Sequence, residues 1–300
     1  MDPGSYPDLA SVGNIPLAGN TNDDGIQVQG SLDSGDIVWH DLNIDFILTG
    51  NSIVNSGTSL SLDPGCVVQL ENYVSLNIYG TLNAQGTAAE EILFTRRDPD
   101  DYWYGVYFQP GSSGTLTYCT MEYASAYNQG FAINGNGYLP QIENCTFRNN
   151  TYGVGGTNLI NPTLSVANTF SNNTEAGIYF TGCSGVSLSN QNLSGHVGTF
   201  GAVYLKTCGS FHFGSGNVAT GNSWALSMDP GSYPDLASVG NIPLAGNTND
   251  DGIQVQGALY SGDMVWHDLN IDFILTGNSI VQSGTSLSID PGCVVKLDNY

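Results

Sequence analysis

A few clusters in this 300-residue chain hold residue types that can do chemistry. Arg96 and Arg97 run into Asp98, Asp100 and Asp101, which sets a basic pair beside three carboxylates. The plain reading is a charged, solvated loop between two strands, although long loops are also where sites are built. Trp39-His40-Asp41 recurs as Trp266-His267-Asp268 and could be taken for an imidazole–carboxylate dyad. Adjacent residues of a strand point to opposite faces, so His40 and Asp41 are expected to diverge. Asn20-Thr21-Asn22-Asp23-Asp24-Gly25 matches the first half of a calcium-binding loop. Its twelfth position is Ser31, or Ala258 in the second copy, so the bidentate glutamate is missing. An Asn/Asp turn is the default there, with adventitious Ca²⁺ as the alternative. No nucleophile elbow, Walker loop or HExxH motif is present. No catalytic, cofactor-binding or metal-ligating residue is therefore assigned.

The six cysteines are Cys66, Cys119, Cys145, Cys183, Cys208 and Cys293, with no CxxC pair among them. That spacing excludes zinc ribbons and dithiol redox motifs. Cys119 and Cys145 lie 26 residues apart, and Cys183 and Cys208 lie 25 apart. Stacked buried thiols are the first reading of that spacing, and disulfides between neighbouring turns are the second. Asn149/Asn150 and Asn172/Asn173 recur in the same way and suggest stacked side-chain amides. Tyr102, Trp103 and Tyr104 could stack on sugars or cover a flank.

The elements that must position these residues are legible in the composition. Gly is 39 and Asn 30 of the 300 residues, whereas only five are basic: Arg96, Arg97, Arg148, Lys206 and Lys296. With 27 carboxylates the net charge is -22. A nucleic-acid partner needs Lys and Arg against its phosphates, and an anionic membrane surface needs the same, so both are excluded. No apolar run approaches 18 residues, so no inserted membrane helix is expected. Gly and Asn are poor helix formers, which leaves a β protein punctuated by turns.

The chain repeats itself. Residues 1–73 recur as 228–300, with seven differences in 73 positions. These are Ser31/Ala258, Asp33/Tyr260, Ile37/Met264, Asn55/Gln282, Leu62/Ile289, Gln69/Lys296 and Glu71/Asp298. Residues 1–227 read as one full unit and 228–300 as the start of the next, running on without a linker. Met1 reads as an internal residue of a longer array, because Met228 lies inside SWALSMDPGSYPD. Ile37/Met264 and Leu62/Ile289 keep apolar volume, as a packed interior demands. Asp33/Tyr260 and Gln69/Lys296 change charge, as an exposed surface allows.

A finer period lies within the unit. GVYF at Gly105, GFAI at Gly130, GVGG at Gly153, GIYF at Gly177 and GAVY at Gly201 start 23–25 residues apart. Period-2 alternation such as Val74-Ser75-Leu76-Asn77-Ile78, bounded by Gly, Asn and Asp-Pro-Gly, reads as short strands. Asp36 to Thr49 is ambiguous. Trp39, Leu42 and Phe46 could line a helix, but β-branched and aromatic content favours strands. Short strands at this spacing predict a parallel β-solenoid, with roughly nine rungs of 23–28 residues per 227-residue unit.

Gly80-Thr-Leu-Asn-Ala-Gln-Gly-Thr87, Ile92-Leu-Phe-Thr95, Trp103-Tyr-Gly-Val-Tyr-Phe108 and Leu116 to Ala124 carry a family resemblance. The chain resembles the right-handed parallel β-helix (pectin-lyase-like) regions of large secreted bacterial proteins, clearly over about residues 60–225. The resemblance implies an all-β right-handed solenoid and an extracellular or cell-surface location. It is weak for activity, because the fold hosts lyases, hydrolases, adhesins and fibres. Lyases of the family use an Arg or Lys base near acidic calcium ligands, which brings Arg96 and Arg97 into question. Its glycoside hydrolases pair carboxylates with a histidine, and Asp23-Asp24 with Gly195-His196 resemble fragments of that set.

The expectation is a non-enzymatic structural protein, a tandem building block of an extracellular fibre, filament or stalk. Its partner would be further copies of the same repeat, stacked end to end. A surface adhesin that binds extracellular polysaccharide is the alternative, and a polysaccharide lyase the less favoured one.

Overall fold

A computed structural model describes residues 25–249 and 252–298. The chain forms two compact units, residues 1–151 and 152–300. Every strand pairing within each unit is parallel, as stacked turns of one coil require. Among the described residues helix is confined to single 3₁₀ turns at Ala126–Asn128 and Leu236–Ser238.

In the first unit three ladders run from turn to turn. Phe46 lies opposite Val68, Val68 opposite Phe94, Phe94 opposite Met121 and Met121 opposite Phe147. Ser52, Leu76, Val106 and Ile133 form a second column. Trp39, Leu62, Ala84, Leu116 and Ile142 form a third on a separate sheet. Most of these apolar residues are buried. Strand alternation aims every second side chain inward, so each column stacks like on like. The second unit repeats the scheme, with Phe170–Leu193–Ala219 on one face and Ile178–Val203–Leu226 on another.

The five Gly-initiated motifs each open one inward-facing strand. A Cβ on Gly105 would sit 1.8 Å from the Phe131 carbonyl oxygen, so only glycine lets the next turn close down. Gly153 is confined in the same way, at 2.5 Å from the carbonyl of Gly177.

The described residues make about 12 turns. Turn length varies more than the expected 23–28 residues. Gly25 pairs with Asp45, twenty residues on, and Ser75 with Gly105, thirty residues on. The long turn carries the excursion 97–104. The short one is absorbed by a register shift between Val28 and Gly30, where the φ of 103° at Gly30 suits glycine alone.

The ambiguous stretch is two strands, Asp36–Trp39 and Asp45–Val54. Trp39, Leu42 and Phe46 are all buried. Their helix-like spacing arises because the chain rounds a corner between the strands, and Trp39 then stacks on Phe46 with centroids 4.6 Å apart.

The two copies fold alike where both are described. Strands Gly25–Leu32, Asp36–Trp39 and Asp45–Val54 reappear as Gly252–Leu259, Asp263–Trp266 and Asp272–Val281. Residue 228, the first of the second copy, lies inside the strand Leu226–Met228, which pairs with both Val203–Leu205 and Gln254–Val255.

Candidate functional site

The chemistry-bearing residues sit at the corners and on the outward faces of the turns. The first corner is built from a left-handed residue followed by a buried amide. In the first unit Asn149 has φ 57° and Asn150 is fully buried. Asn150 Oδ1 accepts the Ala124 N–H at 2.8 Å, and its Nδ2 donates to the Met121 carbonyl at 3.1 Å. In the second unit the pattern runs Asn172-Asn173, Gly195-His196, Gly221-Asn222 and Gly246-Asn247, the first member left-handed each time. Asn222 Oδ1 accepts the His196 N–H at 2.9 Å, and Asn247 Oδ1 accepts the Asn222 N–H at 3.1 Å. The amides also donate to the Leu193 and Ala219 carbonyls. So the ladder expected from the Asn pairs exists, carried by the second residue of each pair. Its continuation through His196, Asn222 and Asn247 escapes a search for Asn-Asn. The shared signal is a left-handed-tolerant residue, Asn or Gly, just before the amide.

His196 occupies an amide position. Its Nδ1 lies 3.2 Å from the Asn173 N–H, and Nε2 has no hydrogen-bond partner among the described residues. Burial is the main cause that lowers its pKa to about 4. It is a neutral structural group. Asp23-Asp24 and their copies Asp250-Asp251 lie outside the described residues, as does most of the half calcium loop.

His40 does diverge from Asp41. Its Nδ1 meets Asp63 Oδ2 at 2.8 Å, one turn further on, and His267 meets Asp290 at 2.9 Å. Asp41 instead accepts the Asn43 N–H at 3.0 Å. His212 and Asp235 form the same one-turn pair at 3.2 Å.

The Arg96/Arg97 cluster is tied into the fold. Arg97 pairs with Glu71, and Arg96 lies 3.8 Å over the Tyr123 ring and donates to the Pro99 carbonyl. Asp101 is buried, which raises its pKa, and it accepts the Asp98 N–H at 3.1 Å. Arg148 pairs with Glu122 at 2.6 Å and Lys296 with Asp272 at 2.5 Å. Among the described residues no three His, Cys, Asp or Glu side chains converge as a metal site.

The cysteines are free thiols. Cys119 and Cys145 are in contact, as are Cys183 and Cys208. Each of these four donates to a backbone carbonyl, Cys119 to Ala84 at 3.2 Å for example. Burial, reinforced by Asp41 and Asp63, pushes the Cys66 thiol up to about 12.

Trp103 is not an exposed aromatic. It is fully buried and donates to the Glu122 carbonyl at 2.9 Å, because its side chain falls on the inward face. The outer aromatic cluster is Tyr73, Tyr104 and Tyr127, from three successive turns, with Tyr104 half-buried. Tyr73 and Tyr127 stack with centroids 4.8 Å apart, and both lie about 6 Å from Tyr104. Tyr73 is 45% and Tyr127 67% exposed. A row in the other unit joins half-buried Tyr152 and Tyr179 to buried Tyr204, each 5.0 Å from the next.

A family model described as "Right handed beta helix region" matches residues 25–193 and, in a second overlapping match, 100–295. The chain belongs to the right-handed β-helix family. No curated protein matches it in sequence. Among solved structures, the β-helix chain resembles the periplasmic alginate epimerase AlgG. A double mutant of that protein is 13% identical with a TM-score of 0.34. A second AlgG structure is 11% identical with a TM-score of 0.30. Each match covers 98% of this chain and 84% of the other. Among the described residues no helix is long and apolar enough to cross a membrane.

Proposed function

We propose that this chain is a non-enzymatic structural protein. It would be a tandem β-helix building block of an extracellular fibre, filament or cell-surface stalk that extends by end-to-end stacking of turns. Residues 1–227 are then one unit and 228–300 the start of the next, in a continuous solenoid. The observation that carries this reading is the bonding of the second copy to the turn before it. Asp229 accepts the Thr207 N–H at 2.8 Å, Ser232 Oγ the Cys208 N–H at 2.9 Å, and Ser238 Oγ the Phe213 N–H at 2.8 Å. The start of one repeat thus serves as an ordinary turn on the end of another. A net charge of -22 keeps such assemblies apart laterally. Arg96 and Arg97 are engaged by Tyr123 and Glu71, which disfavours a lyase base.

Electron microscopy of the native material tests it. Fibres with a layer line near ~4.8 Å and an axial repeat of about 43 Å, nine turns at strand spacing, are expected. Short, separate, monodisperse particles would refute it. A second reading, a carbohydrate-binding surface protein, is favoured by the surface cluster of Tyr73, Tyr104 and Tyr127, since aromatic rings suit sugar faces.

A further inference from the structure

All six cysteines occupy one kind of corner. Each thiol donates to a carbonyl of the preceding turn: Cys66 to Trp39 at 3.3 Å, Cys119 to Ala84 at 3.2 Å, Cys145 to Leu116 at 3.5 Å, Cys183 to Gly156 at 3.7 Å, Cys208 to Phe180 at 3.5 Å and Cys293 to Trp266 at 3.4 Å. What differs is the residue that the adjacent turn sets alongside. Val67 lies opposite Leu93, and Cys119 opposite Ile92, so buried Ile92 stands between Cys66 and Cys119. Thr120 lies opposite Thr146, which sets Cys119 against Cys145. Thr181 lies opposite Lys206, and the same offset sets Cys183 against Cys208. Leu159 precedes Cys183 in that column, and Gly231 follows Cys208. Among the described residues, each of these four thiols therefore has one cysteine within reach, and Cys66 has none.

The geometry of a coil suits a bond here. Neighbouring turns stack about 4.8 Å apart, and a disulfide joins Cα atoms about 4.4–6.8 Å apart. Residues at one position of successive turns point the same way, and the sulfurs of each pair are already in contact. That contact also prepares an attacking group. Cys119 lowers the pKa of Cys145, and Cys208 lowers that of Cys183, which favours thiolate at one member of each pair.

We infer that Cys119–Cys145 and Cys183–Cys208 are two sites of disulfide formation, each a covalent clamp between neighbouring turns, and that Cys66 stays a thiol. The co-reactant is a protein or small-molecule disulfide, of the kind that oxidising compartments hold. The Cys145 thiolate attacks one sulfur of that disulfide and expels the other as a thiolate. Cys119 gives its proton to the expelled thiolate and displaces the remaining oxidant sulfur from Cys145. One S–S bond forms in the protein and one breaks in the oxidant, which takes two electrons and two protons and leaves as two thiols. Cys183 and Cys208 react in the same way. All four sulfurs are buried, so the oxidant reaches them when a turn opens. The inference goes beyond the fibre reading and holds equally for a separate chain.

The test uses the full chain, reduced and then held in a glutathione redox buffer with urea just below the unfolding transition. The product is alkylated in strong urea, digested and mapped by mass spectrometry. Two cross-linked peptides are expected, Cys119–Cys145 and Cys183–Cys208, with Cys66 alkylated. Cys119→Ser should lose the first bond, leave Cys145 alkylated and keep the second. The oxidised chain should unfold at about 1 M higher urea than the same chain with reductant added. Alkylation of all four thiols after this treatment would overturn the inference, as would a bond from Cys66 to any of them. Both bonds mapped, but with equal urea midpoints, would overturn the clamp.

Discussion

His196 shows how one residue can look catalytic and be structural. It sits in a ladder of amides, follows a left-handed Gly195, and is buried with Nε2 unpartnered among the described residues. A folded-state pKa near 4, against the 6.5 of a free imidazole, means that the native state disfavours the proton. The unfolded chain binds that proton first, so the neutral ring's contribution is whole above about pH 6.5 and is lost as pH falls toward 4. At about 1.4 kcal/mol per pH unit, the loss between pH 6.5 and 5 is on the order of 2 kcal/mol. In His196→Asn, an amide can accept the Asn173 N–H and donate toward the preceding turn as Asn222 does. Its urea midpoint at pH 7.5 should stay close to wild type, because the gained hydrogen bond offsets the cavity left by the ring. Its unfolding free energy at pH 5 should exceed wild type by that ~2 kcal/mol. Equal acid sensitivity in the two proteins would show that His196 does not govern this window. The seven copy differences are residue-scale findings too. Met264 is half-buried rather than packed inside, and Ile37 is half-buried as well. Gln69 and Lys296 keep one contact by different means, Gln69 donating to Asp45 at 2.6 Å where Lys296 pairs with Asp272.

The corner ladder is the element that holds successive turns in register. Asn222 ties three successive turns of it together in the second unit. Its Oδ1 takes the His196 N–H, and its Nδ2 donates to Leu193 and to Asn247 Oδ1 at 2.8 Å. Asn222→Ala would leave a buried N–H and a buried carbonyl unpaired. Each unpaired buried group costs about 1–3 kcal/mol, so a loss of roughly 3 kcal/mol in urea unfolding is expected. Asn149→Gly changes only a left-handed corner residue and should cost less than ~1 kcal/mol. Comparable losses for the two variants would refute the ladder as the source of stability. This element was half legible in the sequence. Asn149-Asn150 and Asn172-Asn173 announce it, but Gly195-His196, Gly221-Asn222 and Gly246-Asn247 differ in residue type while sharing geometry. The thiol pairs were legible from spacing alone, because a buried column needs only equal size. Trp103 was misleading because Tyr-Trp-Tyr gives no hint which face turns inward. The His–Asp pairs show the general limit, since neighbours in a coil lie one whole turn apart in sequence and not side by side.

At the scale of the whole molecule, periodic glycines and alternating apolar residues made the solenoid readable. The turn lengths were less so, because the 97–104 excursion and the Val28/Gly30 shift sit outside any repeat. The row of Tyr152, Tyr179 and Tyr204 could not be read at all, since its rings meet only once the turns stack. The two copies also expose the same residue types differently. Val68 and Leu70 are fully buried in the first copy, under the strand Ile92–Arg96, whereas Val295 and Leu297 are 39% and 77% exposed in the second. Each turn of a coil is stabilised by its neighbour, so stability in such an array is a sum of nearest-neighbour interfaces. A chain extended past Tyr300 by the sequence of residues 74–227 should lay that same strand over Val295 and Leu297. Burying an apolar side chain of this size contributes about 1.5–3 kcal/mol, so the two together should add at least ~3 kcal/mol to the unfolding of the second copy. The reporter is Cys293, whose thiol is half-buried here while its counterpart Cys66 is buried. Maleimide labelling of Cys293 should be fast in the 300-residue chain and slow to the rate of global unfolding in the extended one. Unchanged labelling and an unchanged urea midpoint would mean that the added turns do not stack, and the tandem-fibre reading would fall with them.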